Sequence, residues 1–118
     1  MLIRLKQLLD DDAHLLMATA YYVWEEKGIW LSSLRLHQVS DKCYYMEALE
    51  THPEYRKQGY AEKLINNIIE ELKGKGSFEI QSYTSIKNIA SQKTHKKCGF
   101  IVMDKKPFEF SKLEGSIA

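Results

Sequence analysis

No stretch of the 118-residue chain approaches the ~20 consecutive apolar residues of a membrane-spanning helix. No cationic segment followed by an apolar run and a cleavage site opens it. These absences disfavour membrane insertion and secretion. Only two cysteines occur, Cys43 and Cys98, too few for a disulfide scaffold, and without an export signal both are expected to stay reduced. The expected location is therefore cytoplasmic. Two prolines, Pro53 and Pro107, and no Pro/Gly/Ser linker, internal repeat or low-complexity tract leave nothing to divide the chain. Residues 1–118 read as a single domain around one core.

A large excess of charge of one sign is also missing. Seventeen Lys+Arg against sixteen Asp+Glu give a net charge of +1. The general electrostatic drive toward nucleic acid is absent, and aromatic stacking positions among the lysines are not seen, so no nucleic-acid partner is expected. The charge is nevertheless uneven. Residues 1–55 hold five basic and nine acidic groups, whereas residues 56–118 hold twelve basic and seven acidic. A polyanionic ligand would sit in the second half. With 44% hydrophobic and 28% charged residues, the composition is that of an ordered globular protein.

Asp10, Asp11 and Asp12 precede Leu16, Ala20, Val23 and Trp24 at helical spacing, which predicts a helix from about 11 to 27. Ile29 to Leu36 and Cys43 to Leu49, separated by a Ser40-Asp41 turn, are rich in strand-forming residues and predict an antiparallel hairpin. Ala61, Leu64, Ile65, Ile68, Ile69 and Leu72 form the apolar stripe of an amphipathic helix closed by Gly74 and Gly76. Ser77 to Tyr83 alternates with period two, and a shorter helix can run from Asn88 to Gly99. Phe100 to Met103 and Phe108 to Phe110 read as terminal strands. The order predicts an α/β, mixed α+β fold with mixed strand pairing.

The chemistry concentrates at Thr51-His52-Pro53-Glu54-Tyr55-Arg56-Lys57-Gln58-Gly59-Tyr60-Ala61, where a strand meets the strongest helix through a glycine. Such a junction offers unpaired N–H groups and the positive end of the helix dipole, a natural phosphate site that Arg56 and Lys57 would reinforce. Arg56-x-x-Gly59-x-Ala61 resembles the acetyl-CoA pyrophosphate loop of the GNAT superfamily of N-acetyltransferases, R/Q-x-x-G-x-G/A. Asn88 to Phe100 is similar to the later helix of that family, N-x-x-(A/S)-x-x-x-(Y/H)-x-K-x-G-F. The resemblance covers about residues 29–110.

What the resemblance implies is specific. The fold would be a mixed, mostly antiparallel sheet with splayed parallel central strands, residues 43–51 and 77–83, and helices on both faces. Acetyl-CoA would be the co-substrate, in a V-shaped cleft between those strands. Arg56, Lys57 and the N–H groups of Gln58, Gly59, Tyr60 and Ala61 would hold the pyrophosphate. The backbone at Leu49 and Thr51 would pair with the pantetheine arm, with Asn88 and Ser91 on the opposite side, and Lys93, Lys96 and Lys97 near the 3′-phosphate.

Direct transfer to a primary amine of a small molecule or protein needs a base and an acid. Glu47, six residues before Pro53, matches a position where sequences of the resembled family often carry an acid facing the substrate amine, which makes it the base candidate, with Glu50 as the alternative: plain alternation puts the two on opposite faces and a bulge could exchange them. His95 stands where many relatives carry the tyrosine that protonates the coenzyme sulfur, and Tyr83 and Tyr60 are further donors. The alternative function is a catalytically inactive acyl-CoA-binding regulatory or interaction module. No metal is expected, because the four histidines show no H-E-x-x-H and the cysteines no paired C-x-x-C spacing. Cys98, three residues after His95, reads as packing and not as a nucleophile. The portion ahead of Ile29 is shorter than the family's usual strand and two helices. Leu2 to Leu5 would be a remnant strand, and a homodimer partner could complete the acceptor pocket.

Overall fold

The computed structural model describes residues 2–8, 18–85 and 87–101. Five strands form one sheet in chain order: β1 (Leu2–Leu8), β2 (Ala18–Glu26), β3 (Ile29–Ser40), β4 (Cys43–Thr51) and β5 (Glu79–Ser82). β1 to β4 pair antiparallel, and β4 and β5 pair parallel. Helix α1 (Tyr60–Lys73) makes the crossover between the parallel strands, and α2 (Ile89–Lys97) follows β5. The expected mixed, mostly antiparallel sheet is present, and the strand expected at Leu2 to Leu5 is part of β1.

One expectation is overturned. The helix predicted from about 11 to 27 is, over residues 18–26, strand β2, and its remaining residues lie outside those described. Thr19-Ala20-Tyr21-Tyr22-Val23 is a run of β-branched and aromatic residues, and it pairs with β3 from Ala18↔Gln38 to Glu26↔Ile29. The helical spacing is deceptive because both faces of β2 carry buried residues. Thr19 and Val23 lie on one face and Ala20 and Tyr22 on the other, so the polar-apolar alternation that marks a strand is erased. Gly28 ends no helix. With Lys27 it makes a two-residue hairpin turn in which both residues have positive φ, 52° and 79°, as a tight turn between right-twisted strands requires.

The hairpin of β3 and β4 turns at Asp41-Lys42, close to the expected place, but both strands run past their predicted ends, to Ser40 and Thr51. The amphipathic helix is α1 as predicted. Its Leu64, Ile65, Ile68 and Leu72 are almost fully buried against Ala20, Tyr22, Leu34, Leu36, Tyr44 and Met46 of β2 to β4. Each such side chain contributes roughly 1.5–3 kcal/mol by leaving water, so this interface carries most of the core. Ile80, Cys98 and Phe100 extend it under β5 and α2. The predicted strands at Phe100 to Met103 and Phe108 to Phe110 fall largely on residues outside those described.

Two irregularities position the site. The β4–β5 pairing runs only from Cys43↔Glu79 to Met46↔Ser82, whereas β4 continues to Thr51. From Glu47 onward, β4 has no strand partner on that side among the described residues. The second irregularity is a bulge. Ser33 pairs with Glu50 and Arg35 with Glu47, so Ala48 and Leu49 together oppose Leu34, and Ala48 takes φ 55°.

Candidate active site

Ahead of α1, His52 caps a short turn of 3-10 helix, Pro53–Tyr55, by accepting from the Glu54 N–H at 3.1 Å. The chain then reaches Gly59, the N-cap of α1, with φ 83° and no side-chain cap. Lys57 also has positive φ, 65°. Left-handed residues in such a loop turn successive N–H groups toward one side, and a helix that starts without a capping side chain leaves its first N–H groups available. Arg56, Lys57, Gln58 and Gly59 are all exposed. Nothing lies within 4 Å of where a Cβ on Gly59 would stand, so space is open beside this backbone. The arrangement fits a diphosphate, and Leu49 and Thr51 lie on the open length of β4 that leads to it.

Across the opening stands α2. Asn88 is its N-cap, with its side-chain oxygen accepting from the Ser91 N–H at 3.1 Å. Ser91 Oγ lies 3.4 Å from Thr84 Oγ1 and 3.3 Å from His95 Nδ1. His95 is buried and both ring nitrogens are engaged. Nδ1 is 2.7 Å from the Ser91 carbonyl, which can only accept, so Nδ1 carries a proton; Nε2 is 3.0 Å from Ser82 Oγ. The ring also meets Phe100 edge-on. Tyr83 is exposed, and Tyr60 packs edge-on against Tyr55. Lys93, Lys96 and Lys97 line the exposed side of α2. Cys98 packs toward the Glu62 carbonyl of α1, and burial, with Glu62, pushes its thiol up to about 11. A thiol so rarely ionised at neutral pH is a packing group.

On the sheet face away from α1, the bulge at Ala48 has a chemical consequence. One extra residue between Glu47 and Glu50 cancels the expected alternation, and their β3 partners, Arg35 and Ser33, are two residues apart on one face. The two acids therefore share a face. Glu47 is half-buried; its Oε1 accepts from His37 Nε2 at 2.6 Å and from Arg35 Nη2 at 3.2 Å. His37 is buried, and its Nδ1 lies 2.8 Å from Thr19 Oγ1 on β2. Thr19, His37, Glu47 and Arg35 thus form a polar chain across three strands. Beside it, Tyr21, Trp30, Ser33, Arg35, Ala48 and Glu50 surround a hollow of about 200 Å³. The Tyr45 hydroxyl is pushed above its ordinary range by burial first, then by Glu47 and Tyr83.

The glycine turn at Gly59, the edge of β4 and Glu47 are the features the sequence singles out as candidates; His37 and Arg35 as partners of Glu47, and Ser82 as the partner of His95, are not among its candidates. A signal for the first pair was present. Arg35 and His37 are polar residues two apart in an otherwise apolar strand, Leu34-Arg35-Leu36-His37, which marks a polar face beside Glu47.

A parallel strand pair that stops pairing at Met46 and is crossed by a helix whose N-terminus carries an open glycine turn gives the mixed α+β arrangement expected from the resemblance. The model of the Acetyltransferase (GNAT) family matches residues 3–100, and the chain belongs to that family. Solved structures agree in fold. The aminoglycoside N-acetyltransferase AAC(6')-Iy, solved with the bisubstrate analog CoA-S-monomethyl-acetylneamine, is 26% identical with a TM-score of 0.64, over 85% of this chain and 79% of that one. The same enzyme with CoA gives 24% identity and a TM-score of 0.63 over 77% and 74%. Glucosamine-6-phosphate N-acetyltransferase from Arabidopsis thaliana is 15% identical with a TM-score of 0.63, over 77% of this chain and 65% of that one. No curated protein sequence matches the chain. Among the described residues no helix is long and apolar enough to cross a membrane, and no group of metal-binding side chains is gathered.

Proposed function

We propose that the protein is an acetyl-CoA-dependent N-acetyltransferase that acts on a primary amine by direct transfer. The observation that carries this reading is the edge of β4 from Glu47 to Thr51, which has no strand partner on the β5 side among the described residues, running to the open turn at Gly59, in a chain of this family. Acetyl-CoA would supply an acetyl group activated as a thioester. Arg56, Lys57 and the N–H groups of residues 58–61 would hold its diphosphate, and the β4 backbone at Leu49 and Thr51, with Asn88 and Ser91 across the cleft, would fix its arm.

The chain's own residues then divide the work. The face bearing Glu47 and Glu50, with the aromatic walls of Tyr21 and Trp30, suits a cationic acceptor: two carboxylates attract an ammonium group and exposed rings favour its approach. Glu47 acts as the base. Arg35 and His37 hold its Oε1, which fixes the carboxylate and leaves proton acceptance to the rest of the group. Glu50 is exposed and lies one position along the same face, where it serves acceptor binding. The amine acceptors named for the neighbours, an aminoglycoside and a glucosamine phosphate, support an amino sugar or another polar amine as the first class to try. The test is release of free coenzyme A from acetyl-CoA across a panel of amines, with the acetylated product weighed by mass spectrometry. Coenzyme A binding without release on any amine would favour the inactive binding module instead.

A further inference from the structure

We infer that the proton for the departing sulfur is delivered by the hydroxyl of Ser82, with His95 behind it as the group that orients and reloads that hydroxyl. The inference rests on the proposed acetyl transfer. Ser82 is the last residue of β5 to pair with β4, opposite Met46, so it stands where the strands part and one residue before the open edge begins at Glu47. Its Oγ is 3.0 Å from His95 Nε2. Tyr83, the next residue, is exposed.

The direction of the hydrogen bonds follows from one carbonyl. The Ser91 oxygen accepts from Nδ1 of His95 at 2.7 Å, so the first ring proton is held at Nδ1 and the Ser82 hydroxyl donates to a bare Nε2. A second proton can go only to Nε2, where it points at Ser82 Oγ. That reverses the bond: Nε2–H now donates to Oγ, and the hydroxyl hydrogen is freed to turn toward the cleft. In the transfer step a C–N bond forms, the C–S bond breaks, and its electron pair stays on sulfur. The sulfur takes the Ser82 proton, Oγ takes the proton on Nε2, and His95 returns to the neutral ring with Nδ1–H, to be reprotonated from water. The described contacts of the ring, Ser82, Ser91 and Phe100, are uncharged. The charged side chains on the elements packed around it are Glu62, Lys63, Glu70, Glu71 and Lys73 of α1, Glu79 of β5, and Lys93, Lys96 and Lys97 of α2. His95 is thus a positioning residue, and Ser82 the catalytic one.

The decisive readout is the ionisation of bound coenzyme A, followed by the ultraviolet absorbance of its thiolate as pH is raised. A hydroxyl donor at the sulfur favours the thiolate, so the bound thiol should titrate about one unit below the ordinary thiol value of ~8.5. Ser82→Ala should return it to that value, Ser82→Thr should keep the shift, and His95→Gln should reduce it. Turnover gives the second arm: Ser82→Ala lowers kcat by about 10²-fold, and adding His95→Gln costs almost nothing more, because the two act as one unit. An unchanged thiolate titration in Ser82→Ala overturns the relay, as does an additive double variant. Absence of any coenzyme-induced thermal shift in the unaltered protein would defeat the proposed function itself, a separate outcome.

Discussion

The two sides of β4 are built on opposite rules. Toward β5 the strand offers backbone: an edge from Glu47 to Thr51 that no strand covers among the described residues and, beyond it, the turn at Gly59 with no side-chain cap. Toward β3 it offers side chains, with Glu47 held by His37 and Arg35 and His37 held in turn by Thr19. Backbone groups are the same whatever the sequence, so the first side can recognise only a ligand that never changes. A side-chain face can be altered residue by residue, which suits the partner that varies between relatives.

The contrast predicts that single substitutions fail differently on the two sides. The largest effect is expected at Gly59. Glutamate there would have to adopt φ 83°, which L residues avoid, and would bring a negative charge to the turn proposed for a diphosphate. Gly59→Glu should abolish the rise in Tm that coenzyme A produces, a rise worth about 2.7 kcal/mol at a hundredfold excess over Kd. A full thermal shift in this variant would remove the turn from the site.

On the other side the losses should be kinetic. Glu47→Gln keeps an oxygen for His37 and Arg35 to donate to, so the fold and coenzyme Kd should be preserved while kcat falls about 10²-fold. Glu50→Gln should instead raise the KM for the amine with kcat little changed. Steady-state kinetics on both variants decide the assignment, and the reverse pattern would exchange their roles.

The backbone side was legible in the sequence because it depends on spacing: Gly59 at a helix start, Arg56 three residues before it, and the Leu64-Ile65-Ile68-Leu72 stripe behind. These are local rules. The side-chain face was half legible. Glu47 was visible, but its partners come from β2 and β3, and β2 was read as a helix because Ala20 and Tyr22 are buried on one face and Thr19 and Val23 on the other. Without that strand, Thr19 and His37 have no reason to meet. The sharing of one face by Glu47 and Glu50 depends on a bulge at an alanine, a residue that gives no local warning of positive φ. His95 was found by pattern, but its partner Ser82 lies thirteen residues away on β5.

A smaller effect concerns the packing that joins α2 to α1. Burial, with Glu62, pushes the Cys98 thiol from its ordinary value of 9.0 up to about 11, so the folded state binds that proton more tightly than the unfolded chain does. The stabilisation is fully present below pH 9 and is lost as pH rises through 9 toward 11. Cys98→Ala should therefore flatten the fall of Tm across that window. Iodoacetamide at pH 8 should label Cys98 in the unfolded chain far faster than in the folded one.

The smallest effect is expected at Ala48, and it tests the bulge that sets the two sides of β4 apart. Positive φ costs an L residue roughly 1–2 kcal/mol, and glycine escapes that cost but loses about 0.5–1 kcal/mol through the greater freedom of the unfolded chain. The first term is the larger, so Ala48→Gly should raise stability by roughly 0.5–1 kcal/mol. Ala48→Val has no such escape, because a β-branched side chain is stiffest where φ is positive, and its Tm should fall. If the bulge is what brings Glu50 round to the face of Glu47, glycine should leave the amine KM as it is, while valine, by pressing the strand back toward regular alternation, should raise it along with the loss of stability. Equal Tm values for the glycine and valine variants would mean that Ala48 does not hold the left-handed conformation, and the shared face of the two carboxylates would then need another cause.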